Sequence, residues 1–359
     1  MELLDFSSTE RCEEYEHFVQ NHASGSFTQS LSWCGVKSGW KHEAVVVRDD
    51  GGNIAGSMLV LIKTLPGLNI SFLYSPRGPV CNFHDKEVLS GLTEGIEALA
   101  HRYHAFLFKC DPFIPASDEE GIRGMAEMGC ILQPDPEEKA IQCRCNYQLP
   151  IAGKTADEVF QSFQPKWRYN IRLAERKGVV CRHYDKDMLG DKLDAFFPLM
   201  EETGSRDGFN IRSKEYFYTL LDNLGSHCRL YLCYYKDQAI SGSVTVQYAG
   251  KTCYVYGASS ASCRSVMPNY LMQWNMIQWA IENGDQIYDF QGIPHYSDEA
   301  HPNYGVYRFK RGFNGQVVEY AGEFDRVFSP LLKKGTDRLY RVYQDLERRR
   351  NRMAHNSTR

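Results

Sequence analysis

The sequence lacks most of the patterns that announce a chemistry. It has no GxSxG elbow for an acyl-serine, no HExxH pair for zinc and no Walker loop for a nucleoside triphosphate. Neither sign of charge dominates: 41 Lys and Arg face 45 Asp and Glu, for a net charge of −4. That balance excludes a chain coated in basic charge for wholesale nucleic-acid binding, though it leaves room for a local basic patch. No apolar run reaches the ~18 residues of a membrane span. The longest runs, such as MLVLI at 58–62, are strand-sized. The opening MELLDFSSTERCEEYEHF has neither the basic start nor the apolar centre of a secretion signal. There are twelve cysteines, but only Cys143 and Cys145 stand close together, and CxC without further partners is a poor zinc signal. Scattered cysteines without a secretion signal are expected as reduced thiols in the cytoplasm.

What is present is an echo. At 359 residues and 43% hydrophobic, the chain has material for two cores. Residues 44–61 read AVVVRDDGGNIAGSMLVL, and residues 231–247 read YLCYYKDQAISGSVTVQ. Each is a strand, a charged turn and a second strand opening on IAGS or ISGS. Ile54 matches Ile240, an offset of 186 residues (240 − 54). Later, EALAHRYHAFLFKCDP (97–112) and QWAIENGDQIYDFQG (278–292) each run from a helix into a buried strand. The helices carry apolar residues at helical spacing: Leu92, Ile96 and Leu99 in one, Leu271, Trp274, Ile277 and Ile281 in the other. The expected fold is therefore α/β with mixed sheets, repeated in tandem. Its element order is also found in GCN5-related N-acyltransferase domains. The join falls near 148–156. The expected division is 1–149, completed by 322–345, then 150–321, with a basic tail at 346–359. A basic helical segment, 159–178, is expected to end at Gly178.

A single-domain acetyltransferase of that fold needs a glycine-rich turn whose backbone amides hold the pyrophosphate of coenzyme A. Its place in the second half, SASCRSVMPNYL (260–271), holds no glycine, and Pro268 removes an amide donor. The first-half equivalent, PVCNFHDKEVLS, has none either. Acyl-CoA is disfavoured as donor. What remains are polar residues beside expected strand ends. QSLSWCGVKSGW (29–40) sets Lys37 among aromatics, and LFKCDPF (107–113) puts Asp111 where a strand stops at Pro112. RDGFNIRSKEYF (206–217) offers Arg206, Arg212 and Tyr216. CYVYGASS (253–260) offers Tyr254 and Tyr256. YRFKRGFNG (307–315) offers Lys310 and Arg311, in what reads as a late strand.

In that order these segments resemble the Fem family, tRNA-dependent aminoacyltransferases that build peptidoglycan cross-bridges. The resemblance rests on Gln29–Trp40, Cys110–Pro112, Gly208–Phe217, the tyrosines around Tyr256, MIQWAIENGDQIYDFQGI (276–293), Tyr307–Phe313 and EYAGEFDRVFSP (319–330). It spans nearly the whole chain. There is no heptad stretch, so the chain resembles the members without a coiled-coil arm.

The resemblance implies roles. Lys37 and Arg212 would hold the diphosphate of a UDP-linked or lipid-linked muropeptide, with Tyr216 and Tyr256 lining its groove. Asp111 would orient the attacking amine, and Lys310 would stabilise the oxyanion. The donor would be aminoacyl-tRNA, and the acceptor the third-residue side-chain amine of UDP-MurNAc-pentapeptide or lipid II. No cofactor or metal is needed. By their charge alone, the basic residues Lys166, Arg168, Arg172 and Arg176, with the tail arginines at 348–350, form the natural tRNA footprint, and the tail suits anionic lipid headgroups at the inner membrane face equally well. Plainer readings stay open: a solvated Lys37, an Arg212–Glu215 pair, a turn-forming Asp111, a core Tyr256, an outward Lys310 and a solvated helix face. A tandem acyltransferase using another donor, or a muropeptide-binding module without catalysis, also fits the residues alone.

Overall fold

The structure is a computed structural model describing residues 1–134 and 140–336. The first half begins with β1 (Glu2–Leu3), α1 (Thr9–Asn21) and α2 (Ser32–Val36). β2 (Lys41–Arg48), β3 (Ile54–Thr64), β4 (Ser71–Ser75) and β5 (Val80–Cys81) follow, then α3 (Lys86–Arg102), β6 (Ala105–Cys110), α4 (Glu119–Glu127) and β7 (Ile131–Leu132). The second half runs β8 (Cys145–Pro150), α5 (Ala156–Ser162), α6 (Pro165–Arg176), β9 (Val180–Tyr184), α7 (Lys192–Asp207) and α8 (Lys214–Leu224). Then come β10 (Cys228–Tyr235), β11 (Gln238–Tyr248), β12 (Lys251–Ser259), α9 (Pro268–Glu282), β13 (Ile287–Gly292), α10 (Tyr304–Arg311), β14 (Gln316–Glu319) and β15 (Phe324–Val327).

The echo in the sequence is an echo in topology. In the first half β2, β3 and β4 form an antiparallel meander, and α3 carries the chain over to β6, parallel to β4. In the second half β10, β11 and β12 do the same, and α9 leads to β13, parallel to β12. The sheet orders are β1-β2-β3-β4-β6-β15-β7, with β5 on β3, and β14-β8-β13-β12-β11-β10-β9. The last strand, β15, returns to the first sheet between β6 and β7.

Helix boundaries follow local chemistry. The Asp85 carboxylate caps α3 by accepting from the amides of Glu87 and Val88. Thr155 and Glu158 form a reciprocal capping box on α5. The continuous basic helix expected over 159–178 is instead two helices. Pro165 cannot donate to a preceding turn, so α5 stops and α6 begins with that proline in its first turn. Gly178, with φ +83°, ends α6 as expected.

Three apolar clusters hold the layers. Leu92, Ile96 and Leu99 of α3 pack on one face of the first sheet. Leu271 and Ile277 of α9, with Trp167 and Ile171 of α6, cover one face of the second. Between the two sheets lies a shared core in which Trp33, Leu61 and Tyr74 meet Phe196, Phe217, Leu220 and Val244. Each such side chain contributes about 1.5–3 kcal/mol when fully buried. Two polar ties add to this core: Tyr248 donates to Glu16 at 2.6 Å, and Lys251 donates to the carbonyls of Ala23 and Gly25. All twelve cysteines are free thiols. Among the described residues no helix is long and apolar enough to cross a membrane, and the longest helix, α3, has 17 residues, so there is no coiled-coil arm there.

Candidate active site

The two halves differ where β4 and β12 meet their parallel partners. β4 stays paired with β6 along its whole length, from Ser71 opposite Ala105 to Ser75 opposite Cys110. β12 and β13 pair only over Lys251–Cys253 and then part. A bulge opens β13 at this point: Gln291 takes φ +62°, and its amide donates to the Asp289 carboxylate at 2.6 Å. The same carboxylate accepts from Asn146 at 3.1 Å and Gln148 at 2.8 Å, so the bent strand end is held from below.

The opening forms one wall of a cavity of about 610 Å³. Phe290, Gln291 and Gly292 line it from β13, and Tyr254, Val255 and Tyr256 from β12. The first half supplies Trp33, Lys37, Trp40, Phe72 and Tyr74. Arg212 and Tyr216 close it from the start of α8.

Lys310 is buried at this wall, 6% exposed. It does not sit in a strand: residues 304–311 form helix α10. The alternation around Tyr307 and Phe309 reads as strand, but the tertiary contacts select a helix. Tyr304 and Tyr307, three apart, meet edge to face at 5.8 Å, and Trp167 of α6 donates its indole N–H to the Phe309 carbonyl at 2.9 Å. The Lys310 ammonium then reaches the strand end opened by the bulge. It donates to the carbonyls of Phe290 at 2.6 Å, Gln291 at 3.2 Å and Gly292 at 2.7 Å. Burial pushes its pKa down to about 8, against the nearby Asp289 charge. A side chain on Gly292 would collide with the Cys143 sulfur, 2.1 Å from its added Cβ, so glycine lets the 140–144 segment lie against this strand end.

Across the cavity, Tyr216 is flanked by two cations. Lys37 Nζ lies 5.2 Å from its ring centroid and Arg212 Cζ 5.4 Å, and Lys37 also sits 5.0 Å from the Trp33 ring. Burial, then the charge of Arg212, bring the Lys37 pKa down to about 8. Among the described residues neither cation has a carboxylate partner. Arg212 precedes α8, so it does not pair with Glu215 across a helix turn. The Tyr256 hydroxyl donates to that of Tyr216 at 3.2 Å.

The structure thus brings Lys37, Arg212, Tyr216, Tyr256 and Lys310 around one space. It places Asp111 elsewhere. Asp111 is 1% exposed and borders a separate cavity of about 190 Å³ with Arg77, Lys109, Glu323 and Asp325. One carboxylate oxygen accepts from the Tyr74 hydroxyl and the other from the Arg77 amide, both at 2.6 Å. Burial raises its pKa. Lys166, Arg168, Arg172 and Arg176 lie on α6, outside the cavity lining; Arg172 covers Phe160 and Arg176 covers Tyr169. Arg206 pairs with Asp207 and donates to the Ser259 carbonyl. The tail arginines at 348–350 lie outside the described residues.

Sequence reasoning missed Tyr74, Trp40, Phe72 and Gln291. No local pattern singles out Tyr74: it pairs with Leu61 of β3 and Lys109 of β6, and its place at the site depends on that tertiary pairing.

Fold and site together define a tandem acyltransferase-type architecture with an open cavity between the opened β12–β13 end and the first half. The crystal structure of FemX superposes with a TM-score of 0.82 over 93% of this chain and 99% of that one, at 24% identity. A tandem GNAT protein from the clavulanic acid biosynthesis pathway superposes at 0.53 over 92% and 99%, at 11% identity. The chain belongs to the FemAB family, which matches residues 11–236 and 232–341. It is 27% identical to the lipid II:glycine glycyltransferase of Staphylococcus haemolyticus (strain JCSC1435) over 394 aligned residues, covering 89% of this chain and 92% of that one.

Proposed function

We propose that this chain is a cytoplasmic aminoacyltransferase of peptidoglycan bridge formation. It moves an amino acid from aminoacyl-tRNA to the side-chain amine of the third stem residue in UDP-MurNAc-pentapeptide or lipid II. The observation that carries the reading is the pair Lys37 and Arg212, two cations without carboxylate partners among the described residues, sharing a cavity with buried Lys310.

Each role follows from what the side chain can do. Lys37 offers a point charge and Arg212 a planar fork, together suited to a diphosphate. Tyr216 and Tyr256 line the groove that would take the muropeptide. In the reaction the amine nitrogen bonds to the ester carbonyl carbon, and the carbon–oxygen bond to the ribose breaks. The proton lost by the amine ends on the leaving hydroxyl. Negative charge on the carbonyl oxygen develops beside the Lys310 ammonium. Its three protons already face carbonyls, so it acts through its field or by exchanging its longest bond, to Gln291. Asp111 orients the amine from behind the cavity wall. Much of the acceleration comes from holding two substrates in register.

The basic face of α6, with the tail, meets the tRNA backbone. In this reading residues 1–149 with 322–345 form one functional unit and 150–321 the other, corrected at the join because β8 (Cys145–Pro150) pairs with β13 and β14 and so belongs with the second sheet; residues 337–345 and the tail at 346–359 lie outside the described residues. The acceptor is one that the named relative's glycyl transfer also uses in its lipid-linked form.

The test is transfer of labelled amino acid from a charged total-tRNA pool to each acceptor, with RNase and Lys310→Ala controls. RNase-sensitive labelling that fails in the variant supports the reading and identifies the amino acid. Silence with both acceptors sinks it.

A further inference from the structure

Asp111 is closed to a substrate in the main cavity. Its two oxygens are taken, by Tyr74 and by the Arg77 amide, and it borders the other cavity. Gln142 and Cys143 line both cavities, and Tyr74 joins the main one to Asp111 through its hydroxyl. It lines the substrate cavity, is only 7% exposed, and donates its proton to Asp111 at 2.6 Å. Phe72, two residues earlier on the same face of β4, stacks with it at 6.2 Å and packs against Trp40, fixing the ring. Burial and the Asp111 charge oppose loss of the phenol proton, against a weaker opposite pull from the Gln142 side chain and the Arg77 charge, so the phenol oxygen already has Gln142 as one neighbour. A neutral phenol whose hydrogen is committed to a carboxylate presents a lone pair, not a donor, to its remaining side. The negative partner also strengthens that oxygen as an acceptor.

We propose that Tyr74 is the residue that meets the acceptor amine, its phenol oxygen accepting an amine N–H from the cavity while Asp111 acts only through it, as a positioning residue. The proposal rests on the acyl-transfer reading above. It assigns the two ends of the reaction to two walls: the nucleophile to Tyr74 from the first half, the carbonyl oxygen to Lys310 from the second. It also gives Tyr74 of β4 and Tyr256 of β12, which line the same cavity, different duties. Tyr256 donates to Tyr216, whereas Tyr74 is polarised by a buried carboxylate.

The experiment is a double-mutant cycle on Tyr74→Phe and Asp111→Asn, reading kcat and both Michaelis constants for transfer from aminoacyl-tRNA. Tyr74→Phe is expected to lower kcat on the order of 100-fold, the scale of a lost orienting contact at the reacting atom, with KM for the tRNA unchanged. Asp111→Asn is expected to cost less, because an amide oxygen can still hold the phenol. Adding it to Tyr74→Phe should cost nothing further. Because Tyr74→Phe strips a donor from a buried carboxylate, 3-fluorotyrosine placed at position 74 is a second probe that keeps the packing. Its weaker oxygen acceptor should slow kcat several-fold.

Unchanged kcat in both Tyr74 substitutions overturns the assignment. So does an Asp111→Asn cost that persists in the Tyr74→Phe background, which would mean that Asp111 acts directly. Wild-type protein that transfers nothing from charged tRNA to either acceptor overturns the broader reading and this one with it, so the two failures are told apart.

Discussion

The Lys310 ammonium donates to the Phe290 carbonyl at 2.6 Å, tying α10 to the opened end of β13. Two further carbonyls, of Gln291 and Gly292, face the same nitrogen. Lys310→Met keeps the length of the side chain and removes every one of these bonds. The transfer rate is expected to fall by roughly 10²–10³, the scale for losing a preorganised charge at an oxyanion. Stability should also fall, by about 1–3 kcal/mol for each buried carbonyl left without a donor. Single-turnover transfer and urea unfolding measure the two separately. A variant that is destabilised yet transfers at the wild-type rate would confine Lys310 to a structural part.

The pH profile separates charge loss from unfolding. Burial brings both Lys37 and Lys310 down to about 8 from the ordinary 10.5. Transfer should therefore decline as pH rises through about 8, as the two cations discharge. Between pH 8 and 10.5 the unfolded chain holds these protons more tightly than the folded one. Stability contributed by the two lysines thus rises with pH across that window and is flat below it. Activity and this stability contribution move in opposite directions, which alkaline unfolding cannot mimic. Lys37→Arg should remove one basic limb from kcat/KM for the acceptor and leave the Lys310 limb in kcat. A profile level to pH 9.5 in both parameters counts against charged lysines in the site.

Much of the fold was legible because the repeat supplied its own control. The IAGS and ISGS hairpins became β2–β3 and β10–β11, and the two apolar helices became α3 and α9, each feeding a strand parallel to the third strand of its meander. The site was legible in its cations and tyrosines, since Lys37, Arg212, Tyr216, Tyr256 and Lys310 share one cavity. What escaped depends on tertiary pairing. The parting of β12 from β13 and the positive φ of Gln291 are set by Asp289, Asn146 and Gln148, residues more than 140 positions apart in part. The helix around Lys310 depends on Trp167, far away in sequence. The seclusion of Asp111 depends on Tyr74 and Arg77, over 30 residues earlier, and no local pattern reports it.

Lys37 and Arg212 should act on the acceptor and not on the chemical step. Lys37→Ala and Arg212→Ala are each expected to raise the acceptor KM on the order of 10-fold, the scale of one charge-assisted contact. Arg212→Lys should recover little, because an ammonium cannot reproduce the planar fork or its stacking on Tyr216 at 5.4 Å. Both losses should shrink at high salt, where the wild-type contacts are themselves screened. Steady-state kinetics with varied acceptor at fixed charged tRNA measures this. Loss confined to kcat would move these cations from substrate binding to the reaction itself.

Gly312, just after α10, tests whether the position of Lys310 is set from α6. A Cβ built there would lie 1.9 Å from the Trp167 ring, and Trp167 is also the donor to the Phe309 carbonyl. Its φ is −72°, so alanine meets no backbone strain and the effect is purely one of contact. Gly312→Ala must therefore push α10 and α6 apart, at a cost of about 1–3 kcal/mol for overpacking. The carbonyls that receive Lys310 belong to β13 and do not move with α10, so the ammonium should be drawn off its three acceptors. Activity should fall together with stability in Gly312→Ala. Trp167→Phe in the same background gives back space and should recover part of both, whereas Trp167→Phe alone removes the indole donor. Recovery of stability without recovery of transfer would mean that α10 returns to place by some other route and that α6 does not set the position of Lys310.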